Sequence, residues 1–430
     1  MILVYGIGMT GISVCNFLQK KQHPFRVVDN RTNPPLLKDF QNKFPEITID
    51  YGAITQSLLD DIDKVVVSPG IDLNDKFIQS AIKKNIKIIG DMDLFFSVVN
   101  APVIGITGTN GKSTVTMMIA DMINNNNKKA VVGGNIGTAV LDCLDDDVDF
   151  YVLELSSYQL DITKRMKFEV AIVLNITPDH LERYPSLNEY KKSKLSIYDN
   201  AKHKIINLDD NYQYPSELGF GLKIPQKPTH FGLVECHNNQ YLLAGDKLLF
   251  NSNELKVIGN HNIQNVLSAL CVLNSINLLT TQSITALKNF TTLAHRIQFI
   301  CKVNNVAYIN DSKATNTIAS IVAIEAINNK YKNIVLLAGG VLKKEDYQKW
   351  AKIVQIKVKT VIVFGESREF LKTLLKDDNI IQAKNLKEAV NISKKLQDID
   401  AVLLSPACAS FDEFANFEKR GEAFINYVKT

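Results

Sequence analysis

Gly105-Ile106-Thr107-Gly108-Thr109-Asn110-Gly111-Lys112-Ser113-Thr114, residues 105–114, decides the fold. The apolar run Ala101-Pro102-Val103-Ile104 precedes it, and a helical pattern from Met117 to Met122 follows. A strand, a glycine-rich turn and a helix N-terminus aim several backbone N–H groups at one point, where a phosphate can sit. Lys112 would reach the β- and γ-phosphates of a nucleotide, and the Ser113 hydroxyl would ligate Mg²⁺. The general spacing G-x-x-x-x-G-K-[ST] fails by one position, because Ile106 stands where its first glycine belongs. The bland alternative is a glycine-rich turn carrying a surface lysine.

Outward from this loop, short apolar runs alternate with helical patterns almost from end to end, the signature of an α/β chain. Before it, strands are expected near 2–5, 25–28, 64–67 and 86–89, with helices near 10–21 and 74–84. A break at Gly90-Asp91 precedes a helical stretch, Leu94–Val99. Beyond the loop, strands are expected near 102–107, 129–133, 150–155, 171–176 and 204–207, with helices near 112–123 and 187–199. Residues 210–258 are polar and turn-rich and read as a β-rich lobe; helices near 260–276 and 283–289 close this part. The alternation resets near Leu293, with strands near 306–310, 333–338, 360–364 and 401–405 and a last helix near 411–427. The expected domains are therefore 1–90, 91–292 and 293–430.

A chain of 430 residues is too long for one core. Its 46% hydrophobic and 22% charged residues are ordinary for a globular protein. The net charge of +4 is only mildly basic, which suits small anionic substrates and disfavours a nucleic-acid motor, whose Lys and Arg would form a stripe. The six cysteines (Cys15, Cys143, Cys236, Cys271, Cys301, Cys408) form no C-x-x-C pair, which argues against structural zinc and for a reducing cytoplasm. A first strand at Ile2 leaves no room for a cleaved leader, and no apolar run approaches the roughly 18 residues of a membrane span.

Other motifs sit at the same kind of position. Gly6-x-Gly8-x-x-Gly11 follows the first strand, and Asp29 ends the second, 18 residues after the last glycine. This is the fingerprint of a dinucleotide turn, and on this motif alone a bound NAD and a bound UDP-sugar are hard to separate. Ser68-Pro69-Gly70 shares that edge and is placed to touch the same ligand. Glu154 ends the strand Phe150-Tyr151-Val152-Leu153 beside the phosphate loop, well placed for Mg²⁺; a helix-capping acid is its plainer reading. His180 follows the next strand and shares the edge with Lys112 and Glu154. Lys194 lies in Lys191-Lys192-Ser193-Lys194, which by itself reads as a solvated helix face. In the last part, turns at Asn310–Asn316, Ala338-Gly339-Gly340 and Leu404–Ser410 each follow a strand, so three small or polar turns would line one crevice.

The combination of Gly-Thr-Asn-Gly-Lys-Ser-Thr (108–114), Gly-Gly-Asn-Ile-Gly (133–137), Glu-Leu-Ser-Ser-Tyr-Gln-Leu (154–160), Asp-His-Leu-Glu-Arg-Tyr (179–184), Gly-Asn-His-Asn (259–262), Asn-Asp-Ser-Lys-Ala-Thr-Asn (310–316) and Leu-Ser-Pro-Ala-Cys-Ala-Ser (404–410) resembles the Mur ligases, and among them the branch that adds D-glutamate. The resemblance runs from the first glycine turn to the last helix. It implies a Rossmann-like N-terminal domain for a UDP-linked substrate, a central phosphate-loop ATPase, and a Rossmann-like C-terminal domain that docks the amino acid. The implied chemistry makes a peptide bond in peptidoglycan precursors from UDP-N-acetylmuramoyl-L-alanine, D-glutamate and ATP, in the cytoplasm and as a monomer.

Carried over residue by residue, the resemblance gives Gly108, Thr109, Asn110, Gly111, Lys112, Ser113 and Thr114 to the ATP phosphates, with Asn262, Arg296 and Asp311 on the rest of the nucleotide. Two Mg²⁺ ions are implied, with Ser113, Glu154, His180 and a carbamylated Lys194 around them, so that Lys112, His180 and Lys194 are the implied catalytic residues. Gly8, Met9, Thr10, Asp29, Arg31, Ser68 and Gly70 fall to the uridine diphosphate side, and Asn135, Ser156 and His180 to the muramoyl-alanine part. Lys313, Thr315, Lys343, Ser410 and Phe417 match positions that bind D-glutamate, whose two carboxylates call for cations and hydroxyls. Two departures stand out. Gly339-Gly340-Val341-Leu342-Lys343 lacks the usual Asp or Gly before the lysine, which leaves Lys344 as a rival for its role. Leu293-Ala294-His295-Arg296 has Ala where proline is usual.

Overall fold

The computed structural model describes the chain except residues 180–182, 211, 213, 238, 258, 292–293, 344 and 377–378. Three separate sheets carry the fold. The first contains β1 (Ile2–Tyr5), β2 (Phe25–Asp29), β3 (Ile49–Tyr51), β4 (Lys64–Val67) and β5 (Lys87–Ile89), all parallel, in the order β3-β2-β1-β4-β5. Apolar runs such as Leu3-Val4-Tyr5 and Val65-Val66-Val67 are buried along their length, as expected for parallel strands covered on both faces. The strand order reverses between β1 and β4, so the turns Gly6–Gly8 and Ser68–Gly70 face each other across the switch point.

The central sheet holds β6 (Val103–Thr107), β7 (Ala130–Gly134), β8 (Phe150–Glu154), β9 (Phe168–Val173), β10 (Ala201–Asn207), β11 (Leu218–Phe220), β12 (His230–Cys236), β13 (Asn239–Ala244) and β14 (Lys247–Asn251). Its order is β14-β13-β12-β11-β10-β9-β6-β8-β7. Pairing is parallel from β7 to β12 and antiparallel through β13 and β14. The expected β-rich lobe is thus continuous with the central sheet, because β11 pairs β10 directly through Ile205–Asn207.

The first and central sheets share one core. Phe95 and Phe96, on the connecting helix Asp91–Phe96, meet Tyr151 and Phe168 edge-on, with ring centroids 5.1 and 5.3 Å apart. The buried rings of Phe95, Tyr151 and Phe168 each contribute about 1.5–3 kcal/mol over leaving them exposed, and Phe96 is partly buried. Asp93 accepts from the backbone N–H of Gly90, Lys164 and Arg165 at 3.0, 2.9 and 2.8 Å, which ties the connection to the central domain.

The third sheet contains β15 (Gln298–Val303), β16 (Val306–Asn310), β17 (Ile334–Gly339), β18 (Thr360–Phe364), β19 (Ile380–Gln382) and β20 (Ala401–Leu404), in the order β15-β16-β20-β17-β18-β19. Only β15 is antiparallel. Helices cover both faces, with Trp350 fully buried on one and Phe424 on the other. The chain forms two compact units, 1–255 with 264–289, and 256–263 with 290–430. Among the described residues no helix is long and apolar enough to cross a membrane.

Several expected elements shift. The strand expected at 171–176 is Phe168–Val173, and the last helix starts at Phe417, where Asn416 accepts from the Lys419 N–H and sets its beginning. The helix expected at 187–199 stops at Leu195 and tightens into a 3₁₀ turn, Ser196–Tyr198. The short strands β3, β15 and β19 and the helix Leu37–Lys43 had no clear signal, since three- to seven-residue polar-edged segments show little periodicity.

Candidate active site

β6 runs straight into the phosphate loop, and the helix Lys112–Asn124 starts from Gly111. Gly108 and Gly111 hold φ of +152° and +84°. At Gly111 a side chain is excluded twice, by that φ and by Asn265 Oδ1, 2.5 Å from where a Cβ would lie. The loop is pinned to the segment after β9. Asn110 N–H donates to Asn175 Oδ1 at 2.8 Å, Asn175 Nδ2 donates to the Asn110 carbonyl at 3.0 Å, and Thr109 Oγ1 donates to the Thr177 carbonyl at 3.1 Å. Ser113 and Thr114 are buried on the first helical turn. Lys112 Nζ curls over the loop and donates to the carbonyls of Gly108 and Thr109 at 2.9 and 3.0 Å. The Ile106 departure from the general spacing costs nothing, because position 106 is a buried residue inside β6, not part of the turn.

Glu154 ends β8, next to β6, and is almost wholly buried. Its Oε1 accepts from Asn135 Nδ2 at 2.8 Å, while Oε2 is buried with no hydrogen-bond partner among the described residues. A buried carboxylate oxygen without a donor is costly unless a cation meets it, so this atom fits a divalent metal ligand. Its plainer reading as a helix cap falls to Ser156 instead, which forms a capping box with Gln159 ahead of the helix Ser157–Ile162.

Lys194 is 2% exposed, against the reading of a solvated face. Its Nζ donates to the Gly108 carbonyl at 3.0 Å and stands 4.7 Å from the Tyr190 ring centre. Burial, and next the Lys112 charge, push its pKa down to about 7, with Asp179, Asp161 and Glu154 pulling the other way. With that pKa about half of the amine is neutral near pH 7, and the neutral form is a nucleophile. His180 lies outside the described residues. Among the described ones, no three His, Cys, Asp or Glu side chains cluster as a closed metal cage. An ion here would take oxygens from phosphates and water, as Mg²⁺ commonly does.

Across the switch point of the first sheet opens a cavity of about 730 Å³. Gly8, Met9, Thr10, Arg31, Ser68, Gly70 and Asn135 all line it, as does Gln159. Asn135 thus links this cavity to Glu154. Asp29 sits behind the wall instead: it is fully buried, Oδ1 takes Arg31 Nε at 2.8 Å, and Oδ2 takes Arg31 Nη2 at 2.6 Å and the Ile7 N–H at 2.9 Å. Burial works against its charge, yet Arg31 and the backbone donors hold its carboxyl below the usual range. Both oxygens are occupied, so Asp29 orients Arg31 and has no free oxygen for a ribose diol, which weakens the NAD reading. Arg183, given no role by the sequence reading of its motif, donates to the carbonyls of Pro69 and Ile71 at 3.2 and 2.9 Å and stacks 4.0 Å from the Tyr158 ring centre, strapping the Ser68–Gly70 turn to the central domain.

In the second unit the three turns at the ends of β16, β17 and β20 converge as their spacing implied. Lys313 Nζ lies 3.8 Å from the Phe417 ring centre, and Lys343 Nζ is 3.4 Å from Thr315 Oγ1. Ser410 is buried beside the Val341–Ala409 bridge. Past the Val341-Leu342 departure Lys343 stands beside Thr315; its rival Lys344 lies outside the described residues. Asp311 is buried, accepting from Ser405 Oγ at 2.8 Å and the Ile297 N–H at 3.2 Å, and burial pushes its pKa up to about 7. Asn262 and Arg296 belong to the same unit. Arg420, invisible in Phe417-Glu418-Lys419-Arg420, is 1% exposed and joins the turns: it donates to Ser312 Oγ and O, Cys408 O, Ala409 O and Gly339 O at 2.9–3.4 Å.

Fold and site together define a three-sheet α/β protein with a phosphate loop, a buried carboxylate on the neighbouring strand and a separate cavity at the switch point of the first sheet. The chain belongs to the Mur ligase family. The family models for the MurD-like N-terminal domain, the Mur ligase middle domain and the glutamate ligase domain match residues 1–90, 106–273 and 295–408. The UDP-N-acetylmuramoylalanine--D-glutamate ligase of Saccharophagus degradans is 40% identical, over 98% of this chain and 96% of that protein. Those of Teredinibacter turnerae and Legionella pneumophila strain Lens are 36% and 38% identical, over 100% of this chain and 97% and 99% of theirs. Among solved structures, UDP-N-acetylmuramate-alanine ligase MurC of Thermotoga maritima shares the fold with a TM-score of 0.62 at 18% identity, covering 100% of this chain and 99% of that one. MurF ligase of the same organism in complex with ADP matches equally, at 16% identity over 100% and 95%.

Proposed function

We propose that this chain joins D-glutamate to the alanine carboxylate of UDP-N-acetylmuramoyl-L-alanine, converting ATP to ADP and phosphate. The domains are proposed as 1–90 for the UDP substrate, 91–292 for ATP and 293–430 for the amino acid, in a cytoplasmic monomer. One observation carries the reading: a phosphate loop with Lys112 stands one strand away from a buried carboxylate oxygen, Glu154 Oε2, that has no donor among the described residues.

A carboxylate is a poor electrophile, so the alanine carboxylate first takes the γ-phosphoryl group of ATP and becomes an acyl phosphate. The D-glutamate amine then attacks the acyl carbon, and phosphate leaves from the tetrahedral intermediate. The protein contributes positioning and charge neutralisation. Lys112 and the loop N–H groups cover the β- and γ-phosphates. Ser113, Glu154, His180 and Lys194 would hold two Mg²⁺ ions, which neutralise the charge on the transferring phosphoryl group. Gly8, Met9, Thr10, Arg31, Ser68 and Gly70 bind the uridine diphosphate, with Arg31 fixed by Asp29, and Asn135 with Ser156 turns the alanine end toward the loop. Asn262, Arg296 and Asp311 hold the rest of the nucleotide. Lys313, Thr315, Lys343, Ser410 and Phe417 receive D-glutamate. The test is phosphate release from ATP with UDP-N-acetylmuramoyl-L-alanine present. Release that depends on D-glutamate, and on neither L-alanine nor meso-diaminopimelate, is expected; release indifferent to D-glutamate rejects the assignment.

Lys194 adds a second expectation. A neutral amine adds CO₂ to give a carbamate, which replaces a cation by an anion beside the metal sites. With its pKa near 7, the amine loses its proton as pH rises through that value, so at fixed dissolved CO₂ carbamate occupancy grows above pH 7 and falls below it. Lys194→Ala is expected to lose at least about 10-fold in turnover, with partial recovery on adding a short carboxylate such as acetate. No loss, or loss without carboxylate rescue, argues against the carbamate.

A further inference from the structure

Lys343 is exposed at the tip of a loop that has neither of the small or acidic residues expected before it, yet it reaches Thr315. Something must hold the loop. At one end, Val341 exchanges two backbone hydrogen bonds with Ala409, both 2.9 Å. At the other, Glu345 Oε2 accepts from both the N–H and Oγ1 of Thr317, at 2.8 and 3.0 Å. Thr317 is the first residue of the twelve-residue helix Thr317–Asn328, two positions beyond Thr315. Asn316 already caps the Ala319 N–H, so Glu345 supplies the acceptor for another N–H that the helix cannot satisfy itself. A carboxylate there also meets the positive end of the helix dipole. Within the loop, the Glu345 N–H donates to the Lys343 carbonyl at 2.9 Å, and the Lys343 N–H donates to Tyr347 OH at 3.2 Å. Tyr347 OH in turn donates to the Ala407 carbonyl at 3.2 Å.

We propose that Glu345 is a positioning residue, clamping the loop that carries Lys343 onto the Thr315–Thr317 turn so that Lys343 and Thr315 face one substrate carboxylate together. The inference rests on the assignment of Lys343 and Thr315 to D-glutamate. Glu345 Oε2 is taken up by Thr317, and the residue acts through the backbone on which Lys343 is mounted. Removing it frees the loop between Leu342 and Asp346 and spreads Lys343 over many positions, which weakens ground-state binding of one substrate only.

The test compares the full-length wild type with Glu345→Ala, Glu345→Gln, Lys343→Ala and the double variant Lys343→Ala/Glu345→Ala, reading kcat and the KM of each substrate. Glu345→Ala is expected to raise the KM for D-glutamate about tenfold and leave the KM for ATP and for the UDP-linked substrate unchanged. Glu345→Gln recovers most of the loss, since its amide oxygen accepts the same two hydrogen bonds. The double variant is no worse than Lys343→Ala alone, because a clamp without its lysine has nothing left to position. A D-glutamate KM within about twofold of wild type in Glu345→Ala, when Lys343→Ala raises it, overturns the clamp. So do additive effects in the double variant, or equal changes in all three KM values that Gln does not reverse. An unchanged KM in Lys343→Ala overturns the site assignment and the clamp with it, whereas a wild type indifferent to D-glutamate overturns the assigned reaction itself.

Discussion

Lys112→Ala is expected to cut turnover by at least about 10²-fold while leaving the protein folded. A fixed cation over the transferring phosphoryl group acts most strongly where charge develops, and removing one such contact typically costs about 3 kcal/mol of barrier. The structural cost is small by comparison. Lys112 is half-buried, its Nζ donates to two carbonyls of its own loop, and it begins a helix, where alanine is well tolerated. The loop's shape is set by the positive φ of Gly108 and Gly111 and by the Asn110–Asn175 pair, and these remain when the Lys112 bonds to the Gly108 and Thr109 carbonyls are lost. Initial rates of phosphate release at saturating substrates, together with a thermal melt, separate the two costs. An unshifted melt with turnover near wild type removes Lys112 from the mechanism. A collapsed melt shows that the lysine is structural.

What the sequence disclosed and what it hid follow one physical division. Parallel strands buried on both faces are near-continuous apolar runs, so β1, β4, β6, β8, β17 and β20 stood out, and with them the turns at their carboxyl ends. Since ligands of α/β sheets gather at those ends, the phosphate loop, Glu154, the Gly6–Gly8 and Ser68–Gly70 turns and the three turns of the last sheet were legible by position alone. Residues whose role depends on burial were not. Lys194 in a lysine-rich helix and Arg420 in Glu418-Lys419-Arg420 look like solvated charge, and only packing places them at 2% and 1% exposure. Long-range side-chain to backbone contacts leave no local pattern either. Arg183 reaches Pro69 across 114 positions and Glu345 reaches Thr317 across 28, and neither spacing has a period that a sequence window can detect. Asp29 shows the converse: its position fitted the ribose-binding acid of a dinucleotide fold, while its two oxygens are committed to Arg31 and Ile7.

Arg420→Met is expected to have the largest effect on stability, and to confine it to the second unit. The substitution keeps much of the apolar stem and removes the guanidinium. Its five hydrogen bonds end on the turns after β16, β17 and β20, so one side chain cross-links the three strand ends of the proposed amino-acid site. Two effects compete. Burial pushes the Arg420 pKa down to about 10, a sign that holding this cation in the interior costs free energy, and replacing buried charge by an apolar group often recovers some of it. That recovery presumes partners that leave with the charge. Here the partners are main-chain carbonyls and the Ser312 hydroxyl, which stay buried and lose their donor. Each buried acceptor left unsatisfied costs about 1–3 kcal/mol, and even allowing for strong non-additivity a net loss of at least about 3 kcal/mol is expected. Amide hydrogen exchange reads this element by element: amides of β17 and β20 should exchange about 10²-fold faster, while those of β6, β8 and β9 keep their wild-type rates. The KM for D-glutamate should rise with the loosening of the turns, and that for UDP-N-acetylmuramoyl-L-alanine should hold. Arg420→Lys recovers only part of the loss, because a single ammonium cannot span the carbonyls that the planar guanidinium reaches at once. Unchanged exchange in β17 and β20 would mean that the three turns hold their shape without the arginine, and that its burial is packing alone.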